Sequence, residues 1–285
     1  MKLLFIFIDG VGMRPPAADN PVRPEVSPTL CRLMAEHAVP VDTCLGVSGL
    51  PQSATGQTVI FTGTNAPAVM GRHCEGFPGP SLRKIIEDEN ILMALMRQGF
   101  HCRFADAYLI DHPDDLRARR FKSVTTVMAL TRPEVISMRE DLMEGAALSH
   151  DITGEVLHEK NPEVPTVQPA EGARRLVQMA RANDFTLFEF FLTDVAGHSR
   201  SLETAEKTLR TLDEFLAALL PLCEESGILT VMVSDHGNIE DMSAHGHTCN
   251  PVPLIAVGPR SEEFLAGAKS LLDVYPRVLR MMGAS

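Results

Sequence analysis

Three apolar runs in this chain each lead into an aspartate: LLFIFI into Asp9, FTLFEFFLT into Asp194 and ILTVMVS into Asp235. Short, nearly continuous apolar runs bounded by glycine, proline or polar residues read as strands covered on both faces, the pattern of a parallel sheet. Between these runs the apolar positions recur at three- and four-residue steps. Helices are predicted over 29–36, 90–98, 170–182 and 202–223, and a further strand over 100–108. The helix over 202–223 is the clearest, with Leu202, Ala205, Leu209, Leu212, Leu216 and Leu219 on one stripe and Gly227 as a stop. Alternating strands and helices predict an α/β fold. Parallel strands deliver their carboxyl ends to one edge, and the crevice outside that edge is where such sheets bind ligands.

The pattern predicts one discontinuous core, 1–110 with 166–285. From 111 to 165 the apolar periodicity weakens and charges cluster, which predicts a small cap or insertion. A Pro-rich loop covers 13–28. The stretch GLPQSATGQTVIFTGTNAP, from Gly49, is rich in glycine and small polar residues and reads as a loop that lets backbone approach a ligand.

Composition narrows the class. The 285 residues are 45% hydrophobic and 22% charged, enough for one large domain. No apolar run reaches the roughly 18 residues of a membrane span, and the first strand begins without a basic leader, so a soluble, cytoplasmic protein without membrane attachment is expected. The six cysteines show no C-x-x-C pairing and read as scattered thiols. The formal charge of -11 argues against nonspecific nucleic-acid binding.

Carboxylates and imidazoles cluster in three motifs: TDVAGH at 193–198, SDHGN at 234–238 and HTCNPVP at 247–253. Carboxylates crowded in a partly buried crevice repel and take up protons, whereas divalent cations bound by aspartate oxygens and neutral histidine nitrogens remove that cost. Each motif has a plainer explanation: Asp9 before Gly10 starting a turn, Asp194 and His198 capping a helix, Asp235 and His236 turning before Gly237. Six such residues at strand ends favour the divided metal site. His245 reads as a loop histidine, and Glu240 and Asp241 as solvated surface charges.

With IDGVG at 8–12 and GLPQSATGQT at 49–58, these motifs resemble the alkaline phosphatase superfamily of two-metal enzymes, and most of all its cofactor-independent phosphoglycerate mutase branch. The resemblance implies a three-layer α/β/α sandwich with a mostly parallel sheet. It implies two divalent ions, Zn or Mn, one held by Asp9, Thr58, Asp235 and His236 and the other by Asp194, His198 and His247. Thr58 aligns as the nucleophile, giving a phosphothreonine intermediate, with Ser53 and Thr55 as competing hydroxyls in the same segment. Asn65, Arg72 and His73 are candidate contacts for a small phosphorylated substrate. The basic run LRARRFK, 116–122, is either a solvated face or a reader of a distal anion. The insertion is too small to match the mutases' large inserted domain. A phosphoester hydrolase is therefore expected, with a small intramolecular phosphotransferase or a noncatalytic metal-binding module as alternatives.

Overall fold

The computed structural model describes residues 1–284. Six strands, β1 (Lys2–Ile8), β2 (Ala38–Val41), β3 (Cys102–Phe104), β4 (Phe185–Phe190), β5 (Ile228–Val233) and β6 (Val252–Val257), form one sheet in the order β2-β6-β5-β1-β4-β3. β1 is central and pairs in parallel with β4 and β5, and β3 continues in parallel beyond β4. β6 runs antiparallel to β5 and to β2, so the sheet is mixed, with every strand but β6 in a common direction.

Both faces are covered, which explains the uninterrupted apolar runs. Along β1, Leu3, Phe5 and Phe7 enter one hydrophobic cluster, and Leu4, Ile6 and Ile8 enter the other. The helices Ser53–Thr62, Val124–Leu130 and Val274–Met282 contribute to the first cluster. Pro28–Glu36, Pro169–Ala182 and Leu202–Glu225 contribute to the second. This is the expected three-layer sandwich. Each fully buried Phe or Leu contributes roughly 1.5–3 kcal/mol by leaving water, so the central strand is pinned from both sides.

Register places the site. Phe7 is level with Val233 on β5 and Glu189 on β4, so β1, β4 and β5 end together. Asp9, Asp194 and Asp235 follow these ends closely. Because β6 is antiparallel, the segment that precedes it, with His247, arrives at the same edge. HTCNPVP therefore begins a strand instead of ending one.

Two further expectations change. The 49–58 segment is not a loop throughout, since Ser53–Thr62 is a helix buried on every side from Ala54 to Thr62. A helix with no solvent face has no apolar period to detect. The first part of the 111–165 segment, expected as a small cap or insertion, is built into the main core. Leu116, Val124, Val127, Val135 and Ile136 share the cluster that contains Phe5 and Phe61, and bridges from Asp106 to Leu148 and from Ala107 to Ser137 stitch the segment beside β3. No helix is long and apolar enough to cross a membrane among the described residues.

Candidate metal centre

Asp9 follows β1 directly, and Gly10 after it has φ +72°; a Cβ at Gly10 would lie 2.9 Å from the Asp194 backbone and side chain. That close approach brings the β1 and β4 ends together. Asp194 and His198 sit one turn apart on the Leu192–Ser199 helix, hence on one face. Asp235 and His236 follow β5. Gly56 lets the Ser53–Thr62 helix press against this turn, since a Cβ there would be 2.9 Å from Asp235 Cβ.

The result is two adjoining ligand groups. Asp194, His198 and His247 form one, and Asp9, Asp194 and His236 the other; within each, the ligand atoms lie within 4.8 Å of one another. Asp194 belongs to both. His198 Nε2 is 3.1 Å from His247 Nε2 and 3.4 Å from Asp194 Oδ2, and His247 Nε2 is 3.5 Å from Asp194 Oδ1. In the second group His236 Nε2 lies 3.3 Å from Asp9 Oδ1 and 3.5 Å from Asp235 Oδ2. The His236 and His247 rings stack with centroids 3.6 Å apart.

Electrostatics make the second group a cation site in waiting. Asp9 Oδ1, Asp235 Oδ1 and His236 Nδ1 are buried without hydrogen-bond partners. Burial, then the charges of Asp235 and Asp194, pushes the Asp9 carboxyl well above the usual range. Burial likewise pushes Asp235 up to about 7. Burial, reinforced by His247, drives His236 down to about 3, so its ring is neutral at physiological pH. Carboxyls forced towards protonation beside a neutral imidazole are what a divalent ion relieves. The residues fit a metal on this ground alone.

A second set of residues fixes the ligands. His247 Nδ1 lies 2.9 Å from the Pro51 carbonyl, a bond that orients Nε2 towards the cluster. Asn238 donates to Asp194 Oδ1 at 2.6 Å, and Gln57 donates to Asp9 Oδ2 at 3.1 Å. Thr193 donates to the Asp9 carbonyl. Glu240 is fully buried, contrary to the surface position expected of it. Its carboxylate accepts from the backbone N–H groups of Gly12 and Asn238, from the Thr248 hydroxyl at 2.6 Å and from the Asn250 amide at 3.0 Å. It thereby ties together the three loops that carry the ligands. Asp241 is half-buried and pairs with Arg14, and His245 meets Arg200 at the end of the Asp194 helix.

Thr58 is not brought to the cluster. It is fully buried in the second turn of its helix, and its hydroxyl donates to the Ala54 carbonyl at 2.6 Å. Ser53 stands in the first turn instead, with Oγ 2.9 Å from His236 Nε2. Helical spacing accounts for the difference: Ser53 and Gln57 are four apart and share a face, and Thr58 is turned about 100° from Gln57. Thr55 is also occupied, accepting from Cys74 N and donating to the Gln52 carbonyl. Asn65 caps its own short helix at Ala68 N. Arg72 and His73 line a separate groove with Ser48 and Glu75.

A cavity of about 670 Å³ opens on the centre, walled by Asp9, Ser53, Gln57 and Asp194 on one part and by Arg119 and Lys122 on another. Phe77 and Phe121 flank it with ring centroids 5.4 Å apart, and His150 stacks on Phe191 at 4.9 Å. The basic run thus reaches the cavity, where the sequence left open a solvated face or a reader of a distal anion.

The family model for the metalloenzyme superfamily matches residues 1–285. The chain belongs to the metalloenzyme superfamily. A 2,3-bisphosphoglycerate-independent phosphoglycerate mutase of Desulforudis audaxviator (strain MP104C) is 34% identical over 139 residues, which are 43% of this chain and 26% of that protein. The corresponding mutase of Myxococcus xanthus (strain DK1622) is 37% identical over 109 residues, 35% of this chain and 21% of the relative. The similarity thus spans about a quarter of those curated relatives. Among solved structures, alkaline phosphatase from the Antarctic bacterium TAB5 superposes with a TM-score of 0.62 at 12% identity, covering 100% of this chain and 98% of that one. Leishmania mexicana phosphoglycerate mutase gives 0.53 at 12% identity, covering 100% and 95%. These structural likenesses establish the alkaline-phosphatase-like fold, and the superfamily establishes a metalloenzyme.

Proposed function

We propose that this chain is a two-metal phosphomonoesterase acting on a small phosphorylated substrate, with Ser53 as nucleophile and water as final acceptor. The observation that carries the proposal is the Ser53 hydroxyl, 2.9 Å from His236 Nε2, in the same cavity as Asp9 and Asp194. Asp9, Asp235 and His236 would hold one divalent ion and His198 and His247 the other, with Asp194 within reach of both; aspartate and histidine donors suit Zn and Mn alike. Bound there, the ions would supply Lewis-acid stabilisation of phosphoryl oxygens and lower the pKa of a coordinated hydroxyl.

The chain's own residues do the rest. Ser53 opens a ten-residue helix whose first turn has no side-chain cap, so its free amides favour an approaching anion. Arg119 and Lys122 draw that anion into a protein of charge -11. Ser53 Oγ bonds to phosphorus as the bond to the ester oxygen breaks, the alcohol leaving with a proton and the phosphoryl group remaining on Ser53. Water then adds to phosphorus, returning the serine hydroxyl and releasing phosphate. The half-exposed His198 side gives that water its entry, as its side chain is 50% exposed and that of His236 is 0% exposed.

The test is phosphate release from an aryl phosphate monoester with Zn or Mn added. Metal-dependent release abolished by a chelator is expected. Rearrangement of a phosphorylated acid without free phosphate would favour the mutase reading, which the two curated relatives keep open. Stoichiometric metal binding with neither reaction would leave a binding module.

A further inference from the structure

The six cysteines are scattered along the chain, yet the fold makes neighbours of two of them. β2 and β6 pair antiparallel with Val41 opposite Val252. Cys44 lies three residues beyond Val41 and Cys249 three residues before Val252, so the two hold matching positions past the same end of that ladder. Both thiols are free, Cys44 half-buried and Cys249 exposed. Burial, and then the adjoining Cys249 thiol, pushes Cys44 up to about 11.

Residues that face each other across an antiparallel pair have Cβ atoms about 4.5–5.5 Å apart, and a disulfide needs about 3.5–4.5 Å. Closing the bond therefore takes a small inward movement. Cys44 is the firmer side: Asp42 accepts the backbone N–H groups of Cys44 and Leu45, and its own backbone bonds to Lys269 and Leu271. Among the described residues no backbone hydrogen bond holds Cys249. The movement falls on Cys249, two residues from His247 and between Thr248 and Asn250, whose side chains bond to Glu240.

We propose that Cys44 and Cys249 are a thiol pair that a low-molecular-weight disulfide oxidises to an intramolecular bond, and that closing the bond draws His247 away from the metal centre. The exposed Cys249, as its thiolate, attacks one sulfur of the small disulfide and expels the other half. Cys44 then gives up its proton and attacks the Cys249 sulfur, expelling the second half. The protein thiols lose two electrons, the small disulfide becomes two thiols, and the two protons pass to them. The effect on the metal rests on His247 as a ligand, and the bond itself does not.

To test this, the chelated full chain is treated with glutathione disulfide and mapped by peptide mass spectrometry. A Cys44–Cys249 cross-link that dithiothreitol reverses is expected. Mn, chosen because thiolates favour zinc, is then titrated into oxidised and reduced protein. The oxidised chain is expected to bind Mn about tenfold more weakly, the lower end of what disturbing the support of a metal ligand costs. Cys249→Ser, given the same oxidant, is expected to keep the affinity of the reduced chain. No cross-link, a cross-link between other cysteines instead, or Mn binding that oxidation leaves equal or tighter overturns the proposal. So does the same weakening in oxidised Cys249→Ser. A reduced chain that binds no Mn overturns the coupling together with the metal-centre reading, and the mass map tells that failure from a failure of the thiol pair.

Discussion

The two halves of the candidate metal centre use similar residues in different surroundings, although His247 is buried in the more open one. Asp235 and His236 are completely buried and Asp9 nearly so, with orphaned oxygens and displaced titration. In the other half the His198 side chain is 50% exposed and that of Asp194 is 16% exposed. The buried half is closed to bulk solvent, and a bound cation would balance its charge. The open half keeps a route for solvent. Under the proposed function, Asp194, which belongs to both ligand groups, would link a half that activates the nucleophile to a half that admits the second acceptor.

The sharpest way to break this comparison is to remove the proposed nucleophile from the buried half. Ser53→Ala is expected to lower turnover of an aryl phosphate by about 10³-fold or more, as loss of an attacking hydroxyl does elsewhere. Thr58→Ala removes the bond to the Ala54 carbonyl and a buried methyl group, and is expected to leave turnover within a few-fold, with a stability loss of roughly 1–3 kcal/mol. Steady-state rates on both variants decide between them, and the reverse outcome would return the nucleophile to Thr58.

Metal occupancy should also separate the halves. At a free metal concentration 1,000 times the dissociation constant, saturation adds about 4 kcal/mol to stability. Asp235→Asn is expected to lose most of that gain while leaving the chelated protein as stable or more stable, because it removes a buried charge. His198→Gln, on the open side, is expected to change the chelated protein little. Thermal melts with and without chelator test this, and a chelated protein that is destabilised by Asp235→Asn would contradict the account of the buried half.

Glu240 links both halves, and its contribution sits in geometry. Glu240→Ala would strand two backbone N–H groups and the Thr248 and Asn250 side chains, a loss of at least about 4 kcal/mol at roughly 1–3 kcal/mol per unsatisfied group. Glu240→Gln retains one acceptor oxygen and is expected to lose less. Denaturant unfolding of the two variants tests the difference, and equal small losses would show that the loops hold without the carboxylate.

What was legible in the chain divides along similar lines. Asp9, Asp194, His198, Asp235, His236 and His247 were visible because strand ends announce themselves through the apolar runs before and after them. Four of the six strands, β1, β3, β4 and β5, were visible for the same reason, whereas β2 and the antiparallel β6 were not predicted. Ser53 stood only as a competing hydroxyl because its helix, buried from Ala54 to Thr62, carries no period, so the alignment of a short motif favoured Thr58. The four-residue interval from Ser53 to Gln57 was the available signal. Glu240 was misplaced because nothing local distinguishes an acid bonded across three loops from a solvated one. Arg119 and Lys122 reach the cavity only through the packing of 111–136 against the core, which no local pattern encodes.

The smallest expected effect is the pH dependence of the metal-free protein, because opposed groups share the buried half. Asp235 has its carboxyl raised from 3.8 to about 7. Between those values the folded chain retains a proton that the unfolded chain has released, so this group's contribution is present at low pH and is lost as pH rises towards 7. His236 is lowered from 6.5 to about 3. The unfolded chain then binds the extra proton, and its contribution is present above about 6.5 and is lost as pH falls towards 3. Between about 4 and 6.5 the His236 slope opposes those of the raised carboxyls Asp235 and Asp9, so a simple pH series on the unmodified protein reads only their sum. Comparing chelated wild type with Asp235→Asn isolates the carboxyl, and the stability of wild type relative to the variant should fall as pH is raised from 5 to 7. Metal-loaded samples should lack that trend, because the cation has already displaced the proton. A gap between chelated wild type and variant that stays constant across this range would mean that Asp235 titrates as an ordinary carboxylate, and that the buried half holds its charge without needing a cation.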